Sequence, residues 1–140
     1  LHREHGRALR GCQVKSDIKG KKFQRVSMIA ALCNKRIIAP FIHEVTTDAT
    51  LFNEWLEVCL LPELVPGQVV VMDNYSIHKS SKTRDLIESA GCKLLFLPPY
   101  SPDLNPIENY WAIIKARIKY FANYCSTFER AIQIAFQHTN

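Results

Sequence analysis

Four apolar residues in unbroken succession, Val69 to Met72, run straight into a carboxylate, Asp73, and a second apolar run, Lys93-Leu94-Leu95-Phe96-Leu97, follows after a stretch of helical spacing. Strand, helix and strand in that order imply a parallel pair joined by a crossover, since antiparallel neighbours need only a short turn. This pattern assigns the chain to the α/β class. The intervening helix takes Ser80 or Ser81 as its cap, sets Leu86, Ile87 and Ala90 on one face, and stops at Gly91. A run without polar interruption, such as Val69 to Met72, is expected to be covered on both faces.

Upstream, residues 23–32 and 37–45 form two apolar, β-branched-rich runs separated by Cys33-Asn34-Lys35-Arg36. That separation suits an antiparallel hairpin, although the turn has no glycine. Thr47 or Asp48 caps a helix whose Leu51, Phe52, Trp55, Leu56 and Cys59 recur at helical spacing until Pro62. Toward the C-terminus, Ile107, Tyr110, Trp111, Ile114 and Ile118 share one helical face. A last helix over residues 128–137 is capped by Ser126 or Thr127. Residues 1–22 show no periodicity and read as a basic arm or irregular hairpin. With 140 residues, 47% of them hydrophobic, the chain is expected to form one domain, 1–140, with its core in residues 23–140.

Charge is placed unevenly. Residues 1–25 carry eight Lys/Arg against Glu4 and Asp17, a net +6, which leaves −1 for the rest of a chain whose total is +5. Such asymmetry is the electrostatic footprint of a polyanion, although a solvated basic tail has the same composition. The five cysteines, Cys12, Cys33, Cys59, Cys92 and Cys125, have no paired C-x-x-C spacing and read as buried free thiols in a reducing compartment rather than as zinc ligands with His43 or His78. The longest apolar stretch, residues 26–33, is interrupted by Ser27 and is well short of the roughly 20 residues of a membrane helix. No signal-peptide pattern is present, and the chain opens on Leu1, so it is expected to be a piece of something longer.

Two carboxylates stand out by position. Functional groups in open α/β sheets gather beyond the carboxyl ends of parallel strands, where Asp73 lies, and its placement suits a metal ligand. Closing a turn onto the backbone near Tyr75 accounts for the same residue. Glu108 also has two readings. Asn105-Pro106-Ile107-Glu108 resembles a capping box with Asn105 at the cap and Pro106 at the first helical position. Against that stands the segment from Leu97 to Pro106, which holds four of the seven prolines. A stiff connector of this kind delivers Glu108 to a defined place with little loss of chain entropy.

At these residues the chain becomes recognisable. Val71-Met72-Asp73-Asn74, then His78-Lys79, then Leu97-Pro98-Pro99-Tyr100-Ser101-Pro102-Asp103-Leu104-Asn105-Pro106-Ile107-Glu108, then Trp111 and Lys115, resemble the catalytic domain of DDE transposases, in the branch of mariner-like elements and related bacterial insertion sequences. Asp73 and Glu108 are separated by 34 residues, as in that branch's signature. The resemblance implies a ribonuclease-H-like mixed sheet flanked by helices, with three carboxylates holding two Mg²⁺ (or Mn²⁺) ions for DNA cleavage and strand transfer. On this mapping Asp73 and Glu108 are the second and third catalytic and metal-binding carboxylates. Asn74, His78 and Asn105 match positions near the site, with turn, helix-start and capping roles as their plain alternatives. The implied partners are transposon-end and target DNA, with a homo-oligomer in the complete protein, no membrane, and a bacterial, nucleoid-associated cytoplasmic setting. Candidate phosphate contacts are Lys15, Lys19, Lys21, Lys22, Lys79, Lys82 and Lys115.

The family's first aspartate lies on a first strand upstream of the hairpin region, and Asp17, Asp48, Asp85 and Asp103 do not close buried strands. The chain is therefore expected to be N-terminally truncated, to lack the first and central strand of the sheet, and to be catalytically silent by itself. A decayed or repurposed remnant that binds DNA without catalysis is the alternative. A resolvase-like nuclease of the same fold would explain the carboxylates but not the proline block.

Overall fold

The computed structural model describes residues 6–16 and 24–140, with side chains described from residue 26 onward. Five strands form one mixed sheet in the order β3-β2-β1-β4-β5. They are β1 (Gly6–Ser16), β2 (Gln24–Cys33), β3 (Arg36–His43), β4 (Val69–Met72) and β5 (Lys93–Phe96). Helix α1 (Ala49–Trp55) winds on through a π-type turn, Leu56–Leu60, and a 3-10 turn, Leu61–Glu63. Helices α2 (Ser81–Ser89), α3 (Ile107–Ala122) and α4 (Phe128–Thr139) complete the order. Among the described residues no helix is long and apolar enough to cross a membrane.

The centre of the sheet corrects the sequence-based expectation. Its middle position is filled, because Gly6–Ser16 pairs antiparallel with β2, from Ala8 with Leu32 to Ser16 with Gln24, and parallel with β4. Neither the hairpin nor the Val69 strand loses its neighbour. The arm reads as irregular because Arg7, Arg10 and Lys15 interrupt any apolar pattern. Strand formation here is decided by two flanking ladders rather than by local propensity. Part of the basic arm is thus β1, whereas Lys19, Lys21 and Lys22 lie outside the described residues.

The hairpin is as expected, and its turn explains the missing glycine. Asn34 and Lys35 both take positive φ, 51° and 64°, the geometry of a tight primed turn that matches strand twist. The Tyr110 hydroxyl donates to the Lys35 carbonyl at 3.0 Å and ties this turn to α3. A bulge between Ile29 and Ala31 shifts the β2–β3 register, and Trp55 Nε1–H donates to the Ala39 carbonyl there at 2.8 Å.

Alternation along β2 builds two cores. Met28 and Ala30 face α3 and α4, packing with Trp111, Ile114, Phe128 and Ile132, while Ile29 and Ala31 face α1 and α2 with Phe52, Leu56, Met72 and Ile87. Each Ile, Leu, Met or Phe among them contributes about 1.5–3 kcal/mol when fully buried. The expectation that β4 is covered on both faces needs amendment. Val70 and Met72 are buried, but Val71 is half-buried and borders an open groove with Leu95, because α3 packs along the central β1 rather than over the β4–β5 edge.

The remaining helix signals hold. Asp48 accepts from Leu51 N–H at 2.8 Å, Ser80 from Thr83 N–H at 3.2 Å and Thr127 from Arg130 N–H at 3.2 Å. Gly91, with φ 79°, turns the chain from α2 into β5. Cys33, Cys59, Cys92 and Cys125 are free thiols, three of them buried, and burial pushes the half-buried Cys59 thiol up from its ordinary value.

Candidate active site

β4 and β5 pair in parallel with Met72 opposite Phe96, so both chains leave the sheet on the same side. Asp73 is the first residue beyond β4. Leu97 N–H donates to the Met72 carbonyl at 2.8 Å, and the proline segment then turns the chain across this end of the sheet. A 3-10 turn, Pro102–Leu104, leads to α3, and Glu108 sits in that helix's first turn. Both residues line the wall of one cleft of about 590 Å³. Asn74, Tyr75, His78, Tyr100, Ser27 and Thr47 also line it.

Asp73 makes the turn-closing bond that its sequence position offered, and its carboxylate also meets an imidazole. Its Oδ1 accepts from Tyr75 N–H at 3.3 Å, the turn-closing bond, and lies 2.9 Å from His78 Nδ1. An ionised carboxylate only accepts, so Nδ1 carries the proton in this contact. His78 is 2% exposed and Asp73 21%, so the imidazole holds the carboxylate from within while its open side faces the cleft. The ring is itself held by Phe52, centroid to centroid 4.5 Å, and by the edge of Tyr75 at 5.7 Å. Ser80, Thr83 and Asn53 lock the α2 start to α1 just beyond it, with Thr83 Oγ1–H donating to Asn53 Oδ1 at 2.6 Å and Asn53 Nδ2–H to Ser80 Oγ at 3.1 Å.

The capping reading of Asn105 is corrected. Asn105 is extended and precedes the helical Pro106, as expected, but its side chain makes no cap bond: both of its polar atoms are buried without a partner. The Asn74 side-chain oxygen, on the cleft wall, is likewise buried and unpartnered.

Among the described residues, no three His, Cys, Asp or Glu side chains gather as a metal cage. The donor set is two carboxylates, which fits one hard, oxygen-seeking divalent ion with water completing its shell, and leaves half the charge of two such ions unbalanced. The strand at the sheet's centre does not supply a third, since Gly6–Ser16 contains no Asp or Glu.

Three of the lysine candidates have described side chains. Lys79 Nζ lies 5.9 Å from the Phe96 ring centroid, Lys82 is exposed on α2, and Lys115 is half-buried on α3. Lys115 follows Glu108 by seven residues and so shares its helical face. None of the three lines the cleft. Lys15 is in β1. Sequence reasoning passed over Tyr75 and Tyr100, although both flank motif residues; exposed aromatic side chains carry no periodic signal.

A family model described as DDE superfamily endonuclease matches residues 2–130. The Tc3 transposase of Caenorhabditis elegans is 51% identical over 51 residues, 36% of this chain and 15% of that protein. The chain thus spans about 15% of the length of the curated relative it matches. The catalytic core domain of bovine immunodeficiency virus (BIV) integrase superposes with TM-score 0.66 at 14% identity, covering 95% of this chain and 81% of that one. A simian T-cell lymphotropic virus intasome, solved with a regulatory subunit of PP2A, gives TM-score 0.66 at 16% identity over 95% of this chain and 47% of that one.

Proposed function

Because the chain belongs to the DDE superfamily endonucleases, we propose that its cleft is the carboxylate site of a transposase catalytic domain, acting on DNA phosphodiesters in cleavage and strand transfer. One observation carries the proposal: Asp73 and Glu108, remote in sequence, line the same cleft at the carboxyl end of the parallel strands. Asp73 and Glu108 would hold Mg²⁺ or Mn²⁺, which supplies Lewis-acid activation at the phosphate and the attacking oxygen. The chain's own residues do the rest. His78 fixes the Asp73 carboxylate in one orientation through Nδ1–H. The proline segment sets the Glu108 helix at a fixed distance from β4, and the cationic excess of residues 1–25 draws in the phosphate backbone. The complete protein is proposed to work as an oligomer on transposon ends and target.

The 140-residue chain alone is proposed to be silent, because two carboxylates leave a charge deficit against two divalent ions and the central strand brings none. A non-catalytic remnant is the reading that the family match does not favour. The test incubates the chain with terminal-repeat duplex in Mg²⁺ or Mn²⁺. Salt-sensitive binding without nicking is expected. Nicking that disappears in Asp73→Asn would overturn the silence, and absence of DNA binding at low salt would overturn the substrate assignment.

A further inference from the structure

Tyr100 is fully exposed, at 101% of its reference surface, and its φ is +57°. A non-glycine residue in the left-handed region is strained, and strain of this kind persists where the surroundings impose it. Here they do. Pro98 and Pro99 precede the residue, Pro102 follows it, and Ser101 Oγ–H donates back to the Pro99 carbonyl at 3.2 Å, closing the turn around Tyr100. The chain thus spends backbone strain to present an aromatic ring to water, and no burial of that ring offsets it. The ring stands on the rim of the cleft that holds Asp73 and Glu108, and Tyr75, 55% exposed and hydrogen-bonded through its N–H to Asp73, stands on the same rim.

We propose that Tyr100, fixed in a left-handed turn at the rim of the Asp73–Glu108 cleft, is a stacking subsite for an unpaired nucleobase next to the phosphate that the cleft receives. The inference rests on the DNA reading above and deepens it. A phosphate drawn to the cation that Asp73 and Glu108 would hold brings its flanking bases to the rim, where a rigid, solvent-facing ring offers a π-face that any base can stack on. Duplex bases present only their edges, so the subsite favours a single strand, a frayed end or a flipped base. Tyr75 is placed to take a neighbouring base.

The test uses the 140-residue chain in Mg²⁺, so that the carboxylates facing the phosphate are neutralised alike in every variant, with a fluorescently labelled mixed-sequence single strand and a blunt duplex of the same length. Tyr100→Ala is expected to weaken single-strand binding about 5- to 150-fold, the range set by a stack of roughly 1–3 kcal/mol. Tyr100→Phe should stay within about twofold of wild type, the slope of log affinity against log salt should not change, and duplex binding should be unaffected. Because the side chain is wholly exposed, the urea midpoint should not fall in either variant. Wild-type failure to bind the single strand, equal binding by Tyr100→Ala, or equal losses in Ala and Phe variants would each overturn the subsite. The carboxylate reading fails separately, if Asp73→Asn and Glu108→Gln leave Mn²⁺ binding intact, so the two failures are distinguishable.

Discussion

Replacing His78 separates holding a carboxylate from filling a core. The imidazole is 2% exposed, its Nδ1 lies 2.9 Å from Asp73 Oδ1, and its ring centroid is 4.5 Å from that of Phe52. Losing a hydrogen bond to a charged acceptor removes about 1.5–3 kcal/mol, and losing an aromatic contact removes about 0.5–1.5 kcal/mol more. The 21% exposure of Asp73 lets water recover part of the first amount, so His78→Ala should destabilise the chain by roughly 2–4 kcal/mol. His78→Phe keeps a ring against Phe52 but has no donor, whereas His78→Asn keeps a donor at the position of Nδ1 and loses the rest of the ring. Urea unfolding at constant m-value gives the stability of each, and a Mn²⁺ titration gives the state of Asp73. A group that orients a metal ligand typically influences metal affinity by about 10- to 100-fold. His78→Phe should therefore weaken Mn²⁺ binding in that range while His78→Asn restores most of it. If both variants bind Mn²⁺ like wild type and differ only in urea midpoint, His78 is core packing and the positioning argument is wrong.

Other expectations follow from single contacts. The buried Asn105 carboxamide has no partner, so Asn105→Leu should be neutral or stabilising by about 1–2 kcal/mol in urea, and a loss above about 2 kcal/mol would reveal a bond that the fold depends on. A Cβ on Gly91 would lie 3.1 Å from Pro66 Cβ at φ 79°, so Gly91→Ala should lower stability by about 1–2 kcal/mol, read from the thermal midpoint. Burial raises the Cys59 pKa, so below its titration less thiolate is present than in free cysteine. Iodoacetamide at pH 8 should modify Cys59 more slowly than a model thiol, with the rate still climbing as pH rises.

Much of this fold was legible because its signals are local. Asp48, Ser80 and Thr127 cap helices where a side-chain oxygen precedes an apolar period, and Gly91 ends α2 because only glycine takes φ 79° without strain. The hairpin was legible from its two runs, although its turn uses Asn34 and Lys35 rather than glycine. The central strand was not. Gly6–Ser16 has three cationic residues and two glycines, and becomes a strand by pairing with residues on both sides that are distant in sequence. Capping by Asn105 followed from a motif, but its side chain makes no cap bond. The shared cleft of Asp73 and Glu108 was anticipated by family resemblance, whereas spacing alone left each with an ordinary turn or capping role. His78 as the inner support of Asp73 needed coordinates, since five residues of loop and 3-10 turn fix no direction for a side chain.

The central claim, that Asp73 and Glu108 would hold the same divalent cation, is tested most directly by electron paramagnetic resonance titration of Mn²⁺ into the wild-type chain, Asp73→Asn, Glu108→Gln and the double variant. A shared ion predicts that each single substitution weakens binding by at least about tenfold and that the double variant is little worse than either single. Independent, additive losses, or single variants that bind as wild type does, would contradict it.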